Sequence, residues 1–192
     1  TQVNIIISKS GNTLETICNS NTFLSDNQKN IIISELRDNY LNKLAADLKS
    51  DVIEHKNYVG GRYSVLSEAG MIPAELMGLS TIKFKQFNYL IKNKIFVQNL
   101  LSNVQSIYLN VKKGRFLSFI LNYDSSSEPF FKWYQQLVSE SLGKKSKGVI
   151  PVISTMPKDN HSLMQYYLDG HQKAFYTFFF THQRDVKKIN NN

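Results

Sequence analysis

The sequence predicts an α/β fold in which doubly wound, mainly parallel sheets are flanked by helices. The first observation is a continuous, β-branched apolar run from Val3 to Ser8, typical of a strand buried on both faces of a parallel sheet. The second is that shorter strand-like runs recur at Ile31 to Ile33 and at Asp51 to Glu54. The third is an apolar stripe at helical spacing from Tyr40 to Leu48, which completes a strand–helix–strand rhythm.

A helix is also predicted after the first strand, because Leu14, Ile17 and Cys18 recur at helical spacing. Cys18 is the only cysteine. It has no neighbouring His or second Cys, so it is predicted to be a buried apolar side chain. Beyond the turn signal at Gly60-Gly61, residues 63–110 are predicted to be mainly helical.

The second half of the chain repeats the βα pattern. Strands are predicted at Phe116 to Leu121, Val149 to Ile153 and Ala174 to Thr181. Between them lie an amphipathic helix from Glu128 to Leu142 and a helix from His161 to Leu168. The apolar residues predicted to share one face of the first of these helices are Phe130, Tyr134, Leu137 and Val138.

Composition restricts the classes of partner. The 192 residues carry a formal net charge of +8, but the basic residues are scattered without interleaved aromatics. A small anionic ligand suits this charge as well as a nucleic acid does. No apolar run approaches the roughly 18 residues of a membrane span, and a single cysteine fits a reducing compartment. No His or Cys pair shows metal-ligand spacing, so no metal site is predicted.

The loop Ser8-Lys9-Ser10-Gly11-Asn12-Thr13 lies between the first strand and the first helix. Backbone N–H groups at a helix N-terminus are unpaired, and the helix dipole adds positive charge there, so this position suits an anion such as phosphate. The hydroxyls can donate to phosphate oxygens, and Gly11 permits a positive φ or a close approach. The alternative is that Ser or Thr simply caps the helix.

The stretch "SKSGNTLET" resembles the phosphate-binding signature of sugar isomerase (SIS) domains. With "VGGRYSVLSEAGMIPAEL", "WYQQLVSESLGKKSKG" and "MPKDNHSLMQYYLDG", in that order, the chain resembles the glucose-6-phosphate isomerase family over most of residues 5–180. The resemblance implies SIS-type sheets and reversible conversion of glucose 6-phosphate to fructose 6-phosphate through an enediolate, in glycolysis and gluconeogenesis. It implies no metal or organic cofactor, and a cytoplasmic homodimer with shared active sites. The partner is then a phosphosugar, with no nucleic acid or membrane.

The resemblance assigns three catalytic residues. Glu140 matches the base that moves a proton between C1 and C2, a role that contributes roughly 10²–10⁴-fold in rate. Arg62 matches the arginine beside the reacting carbons, where a permanently charged guanidinium can stabilise the enediolate. His161 matches the ring-opening histidine, which in the family reaches the active site of the other subunit, at a helix start that Asp159 or Asn160 is predicted to cap. For each residue the alternative is an ordinary surface side chain.

The resemblance also assigns substrate contacts. The phosphate-binding positions are Ser8, Lys9, Ser10 and Thr13, with Lys9 contributing through its backbone. Gly61, beside Gly60, would let the backbone approach the sugar, and Glu15 is placed near the sugar or beside groups that orient it.

The sequence differs from the family pattern at both of its ends. A glycine-rich segment upstream of the phosphate loop and a C-terminal helix carrying an active-site lysine have no counterpart in the sequence. The expected organisation is the later part of a first SIS domain over 1–80, incomplete at its N-terminus, a helical connection over 81–115, and a second SIS domain over 116–192 lacking its C-terminal end. The isolated chain is expected to show weak or no isomerase activity.

Two alternatives for function stay open at this point. One is a non-catalytic phosphosugar-binding SIS protein that acts as a sensor or regulator. It would not need Glu140 or His161, because binding alone requires neither a base nor a ring-opening acid. The other is an isomerase with dual glucose and mannose 6-phosphate specificity, since these C2 epimers differ in one hydroxyl orientation.

Overall fold

The computed structural model describes residues 3–24 and 28–182. The chain divides into two compact units, one reaching to Asn93 and the other starting at Lys94. This boundary falls within the predicted helical connection over 81–115, and the last residues of the predicted second domain lie outside the described residues. In the part of the chain that is described, no helix is both long and apolar enough to cross a membrane.

The first unit is built on a parallel sheet of strand order β1-β2-β3. Its strands and the two helices that follow them are β1 (Val3–Ile7), α1 (Leu14–Phe23), β2 (Lys29–Ser34), α2 (Tyr40–Asp47) and β3 (Asp51–Glu54). The register places Ile5 opposite Ile31 and Ile31 opposite Asp51. A small core of Ile6, Ile32, Leu41 and Ala45 joins the sheet to α2. The predicted strand–helix–strand order is confirmed.

Short helices complete the first unit. They are a 3₁₀ helix at Gly61–Leu66, then α3 (Glu68–Leu76), α4 (Thr81–Lys85) and a second 3₁₀ helix at Gln86–Lys92. The predicted helical content of this stretch is therefore present, but as separate pieces. Ser67 separates the first two pieces, because its hydroxyl accepts a hydrogen bond from the Ala69 N–H and caps α3.

The second unit has its own parallel sheet, of order β5-β4-β6, with β4 in the centre. Its elements are α5 (Lys94–Lys112), β4 (Leu117–Asn122), α6 (Glu128–Leu142), β5 (Ile150–Thr155), α7 (Asn160–Asp169) and β6 (Ala174–Phe179). The core combines Phe119, Leu121, Met156 and Ala174, and the ring of Tyr167 packs edge-on against Phe119. The predicted α/β class with parallel sheets is thus confirmed in both units.

Two residues differ from the burial that the sequence predicts. Cys18 is exposed, because α1 turns Ser20 toward the sheet instead. The Ser20 hydroxyl can be buried there because it donates to the Ile17 carbonyl at 2.8 Å. On α6 the buried ring is Phe131, whereas Phe130 is 54% exposed.

Candidate active site

The phosphate loop begins at the carboxyl end of β1. Beyond the paired residues of β1, two backbone hydrogen bonds connect it to the end of β2 and to the residue that follows β2. The Ser8 N–H donates to the Ile33 carbonyl at 3.1 Å, and the Glu35 N–H donates to the Lys9 carbonyl at 3.1 Å. Ligands of open α/β sheets bind outside the carboxyl ends of the strands, so this position matches the one predicted for an anion.

Gly11 turns the loop in a conformation that few other residues adopt. Its φ is +67°, in the left-handed region. A Cβ at this position would overlap with the side-chain amide of Asn39, which is buried. The Gly11 carbonyl also accepts a hydrogen bond from the Leu41 N–H at 3.1 Å, so the loop packs directly on the start of α2.

Asn39 is a residue that the sequence analysis missed. Its Oδ1 accepts from the Asn42 N–H at 2.9 Å and caps α2, while its Nδ2 donates to the carbonyls of Glu35 and Arg37 and to the Ser34 hydroxyl. Through these hydrogen bonds the buried Asn39 connects the end of β2 to the start of α2. Its side chain is also the surface against which Gly11 packs. The signal in the sequence is an Asn directly before an apolar helical stripe.

The hydroxyl groups of the loop are arranged for more than capping. Thr13 is the N-cap of α1, yet among the described residues its side chain makes no capping hydrogen bond. Its Oγ1 lies 2.7 Å from Oγ of Ser8, which is buried. This pair uses one of two hydroxyl hydrogens, so one stays available to an acceptor. The Ser10 hydroxyl accepts from the Asn12 N–H at 3.2 Å, which leaves its hydrogen to donate.

Lys9 connects the loop to the segment that precedes Gly61 and Arg62. Its Nζ donates to the Asn57 carbonyl at 2.8 Å and to the Val59 carbonyl at 2.9 Å. The carboxylate of Glu35, also missed by the sequence analysis, lies 3.6 Å from Nζ. The structure therefore brings the predicted phosphate loop and the start of the glycine–arginine segment together within the first unit.

Arg62 lies in the 3₁₀ helix and is half-buried. Its guanidinium carbon lies 5.8 Å from the centre of the Tyr63 ring. For Gly61, a Cβ would meet no atom of the described residues within 4 Å, so open space lies beside this backbone. Glu15 is exposed in the first turn of α1, close in sequence to the loop.

Glu140 lies in the second unit, in the last turn of α6 as predicted, and it is exposed. The helix ends at Gly143, whose N–H donates to the Ser139 carbonyl at 2.8 Å. One turn earlier, Gln136 Nε2 lies 3.5 Å from Glu140 Oε2. The carboxylate is thus carried on a regular helix whose dipole places negative charge at this end.

His161 is the second residue of α7 and is exposed. The predicted capping by Asp159 is wrong: Asp159 occupies the N-cap position but makes no side-chain cap bond among the described residues. Its Oδ2 accepts instead from the Thr155 N–H at 2.7 Å. The carboxylate closes the loop from β5 back onto its own strand, and this holds the start of α7.

Glu140 and His161 lie at opposite ends of the second sheet. Ser139 and Gly143 line a cavity together with Phe116 and Ile150, so the end of α6 meets the N-terminal ends of the strands. His161 follows β5 and therefore lies beyond the carboxyl ends. Strands of six residues separate these two ends by roughly 17 Å.

The chain is similar in sequence to several glucose-6-phosphate isomerases. The glucose-6-phosphate isomerase of Methanocaldococcus jannaschii is 33% identical over 183 residues, covering 90% of this chain and 46% of that protein. The glucose-6-phosphate isomerase of Leptospira interrogans is 32% identical over 152 residues, covering 71% of this chain and 32% of that protein. A probable glucose-6-phosphate isomerase of Methanococcus maripaludis is 33% identical over 186 residues, covering 90% of this chain and 42% of that protein.

The fold has a solved counterpart. A hypothetical protein from Thermus thermophilus superimposes with a TM-score of 0.76 at 21% identity, over 91% of this chain and 46% of that one. No protein-family model matches the sequence. The similarity to two of these isomerases extends over 90% of this chain. The chain is similar to glucose-6-phosphate isomerases over most of its own length and spans less than half the length of these relatives.

Proposed function

We propose that this chain is an aldose–ketose isomerase that interconverts glucose 6-phosphate and fructose 6-phosphate, in glycolysis and gluconeogenesis. The observation that carries the proposal is the loop at the end of β1. There, the hydroxyls of Ser8 and Thr13 lie 2.7 Å apart beside a helix start that no Thr13 side-chain bond caps in the described part of the chain. This combination suits a phosphate monoester dianion.

In this mechanism the phosphate is held by the loop hydroxyls and by N–H groups at the start of α1. His161 donates a proton to the ring oxygen as the C1–O5 bond breaks, and the C1 hydroxyl loses its proton to solvent water as the aldehyde forms. Glu140 removes the proton from C2 and the enediolate forms. The O2 proton is then lost to solvent water and O1 gains a proton from it, while the Glu140 carboxyl returns its proton to C1 and the ketose forms. Arg62 stabilises the enediolate charge without exchanging a proton of its own.

The placement of Glu140 and His161 at opposite ends of one sheet supports a shared site. A second copy of the chain would supply the histidine, as a two-fold homodimer allows. Each of the two sites would then contain Glu140 from one copy and His161 from the other.

Proton transfer is tested most directly by solvent exchange. The wild-type chain is incubated with glucose 6-phosphate in deuterium oxide, and NMR follows deuterium at C2 of the aldose and C1 of the ketose. Glu140→Gln is expected to reduce this exchange by about 10²-fold or more while phosphosugar affinity stays within a few-fold. Glu128→Gln, in the first turn of the same helix, is the matched control and is expected to exchange like wild type. The same spectra show whether mannose 6-phosphate forms.

A non-catalytic phosphosugar-binding protein predicts a different result. It would bind glucose 6-phosphate with similar affinity in the wild-type and Glu140→Gln chains, and neither would exchange the C2 proton. A complete absence of exchange in a wild-type chain that binds glucose 6-phosphate would refute the proposal that this chain is an isomerase by itself. A slow exchange that Glu140→Gln abolishes would support the proposal and would agree with the weak activity expected of the isolated chain.

The shared site is tested by mixing two inactive variants. In a dimer of one Glu140→Gln chain and one His161→Gln chain, one of the two sites receives both intact residues. Random mixing should therefore restore about a quarter of the wild-type exchange rate. If both residues act within one chain, every site of the mixed dimer lacks one of them and no exchange returns.

A further inference from the structure

The ammonium group of Lys9 has little capacity left for a substrate phosphate. An ammonium has three donor hydrogens. Two of them are used on the carbonyls of Asn57 and Val59, at 2.8 and 2.9 Å. The third faces the carboxylate of Glu35 at 3.6 Å. A phosphate that took a hydrogen bond from Nζ would displace one of these acceptors.

The two carbonyls that accept hydrogen bonds from Lys9 belong to the segment between β3 and Arg62. Asn57 and Val59 are the residues that lead from β3 into Gly60, Gly61 and Arg62. A main-chain bond also anchors the phosphate loop near this point, because the Glu35 N–H donates to the Lys9 carbonyl. The Lys9 side chain therefore spans from the phosphate loop to the base of the arginine segment.

Glu35 helps to hold the ammonium group in place. Its side chain is 12% exposed and lies between two cations, with Arg37 Nε 2.9 Å from the second carboxylate oxygen. A carboxylate that is largely removed from water strengthens its interaction with a neighbouring ammonium. The network fixes the side-chain direction of Lys9.

We propose that Lys9 is a positioning residue. Its ammonium clamps the carbonyls of Asn57 and Val59 and so holds Arg62 in register with the phosphate loop. Its main-chain N–H, and not its Nζ, faces the phosphate. The coupling to Arg62 rests on the proposed isomerase function, whereas the clamp itself is a property of the chain without substrate.

The clamp is tested without substrate by hydrogen exchange. The Val59 N–H donates to the Lys56 carbonyl and the Tyr63 N–H to the Gly60 carbonyl, so both amides report on the clamped segment. Lys9→Met, which keeps the stem and removes the charge, should accelerate their exchange by about tenfold or more. Protection of the Ser8 amide checks that the sheet stays folded.

Matched variants separate the clamp from a loss of charge. Lys43 forms an exposed ion pair with Asp38 in the same unit, so Lys43→Met removes one positive charge and should leave the segment protected. Lys9→Arg keeps a charged donor group within reach of the carbonyls and should restore part of the protection. Unchanged exchange of Val59 and Tyr63 in Lys9→Met would overturn the clamp.

Whether Nζ of Lys9 contacts the phosphate is tested by measuring the affinity for inorganic phosphate. Lys9→Met should bind inorganic phosphate within about threefold of wild type, because the loop N–H groups remain. A loss of more than about tenfold, with the segment still protected, would make Nζ a direct phosphate ligand and overturn the proposal.

The coupling to Arg62 is read from a double-mutant cycle on the deuterium-exchange rate. If Lys9 acts by placing Arg62, Lys9→Met has little further effect in an Arg62→Gln background. Independent, multiplicative losses would refute the coupling. If the wild-type chain binds no phosphosugar, the isomerase assignment fails, and the amide-exchange comparison still decides whether the clamp exists.

Discussion

Gly11→Ala is expected to be the most damaging small substitution in the phosphate loop. An alanine at this position carries two separate energetic penalties, backbone strain and steric overlap. The backbone φ is +67°, and a Cβ would overlap with the side-chain amide of Asn39. Asn39 cannot move without cost, because it is buried and caps α2 through the Asn42 N–H.

The magnitude follows from these contacts. An alanine in the left-handed region costs about 1–2 kcal/mol. Loss of the Asn39 cap costs about 1 kcal/mol, and each buried hydrogen bond left unmade adds about 1–3 kcal/mol. We therefore expect Gly11→Ala to lower the free energy of unfolding of the first unit by about 4 kcal/mol.

Gly78 provides a matched control in the same unit. Its φ is +81°, and a Cβ there would meet no atom of the described residues within 4 Å. Gly78→Ala therefore carries the backbone strain alone and should cost about 1–2 kcal/mol. The difference between the two variants isolates the displacement of Asn39.

The assay must report on the first unit. Native-state hydrogen exchange of the Ser8 amide, which donates to the Ile33 carbonyl, provides this measurement. Fluorescence of Trp133, the only tryptophan, follows the second unit and should not change. Equal costs for Gly11→Ala and Gly78→Ala would refute the reasoning. So would an undiminished cost of Gly11→Ala in an Asn39→Ala background, where the space is open.

Two further outcomes are expected. Thr13→Val removes the hydroxyl beside Ser8 at nearly constant volume and should weaken glucose 6-phosphate binding by about tenfold in calorimetry, whereas Thr22→Val on the same helix should not. Hydrogen bonds from the side chains of Ser126 and Ser127 lower the pKa of Asp124 in the folded protein. Its contribution to stability is therefore present above its unfolded pKa and is lost as the pH falls below about 4. The Trp133 unfolding midpoint should fall with pH over this range less in Asp124→Asn than in wild type, and parallel profiles would contradict this.

Much of the fold was predictable because apolar periodicity is a local property. The runs of Ile at residues 5–7 and 31–33 become paired parallel strands, and the helix predicted over Glu128 to Leu142 has those bounds in the structure. The faces of the helices were harder to predict. Phe130 and Phe131 are adjacent and chemically alike, and only the packing of Phe131 against Phe179 decides which one is buried.

For the candidate site, too, the residues that form contiguous motifs were predictable, whereas their tertiary contacts were not. The residues of the loop and the residue types of Glu140, Arg62 and His161 were evident from the sequence because the motifs are contiguous. Their roles stay predictions. The assignment of Asp159 as a helix cap was wrong, because a nearby backbone N–H on Thr155 offers its carboxylate another partner.

By itself, the sequence determined the similarity to glucose-6-phosphate isomerases, the α/β class and the residues of the predicted phosphate loop, since each depends on residues close together in the chain. The tertiary structure alone decided that Lys9 points to the carbonyls of Asn57 and Val59, nearly fifty residues away. It also decided that Glu140 and His161 lie at opposite ends of one sheet. Both depend on how distant segments are brought together by parallel strand pairing, which local patterns do not specify.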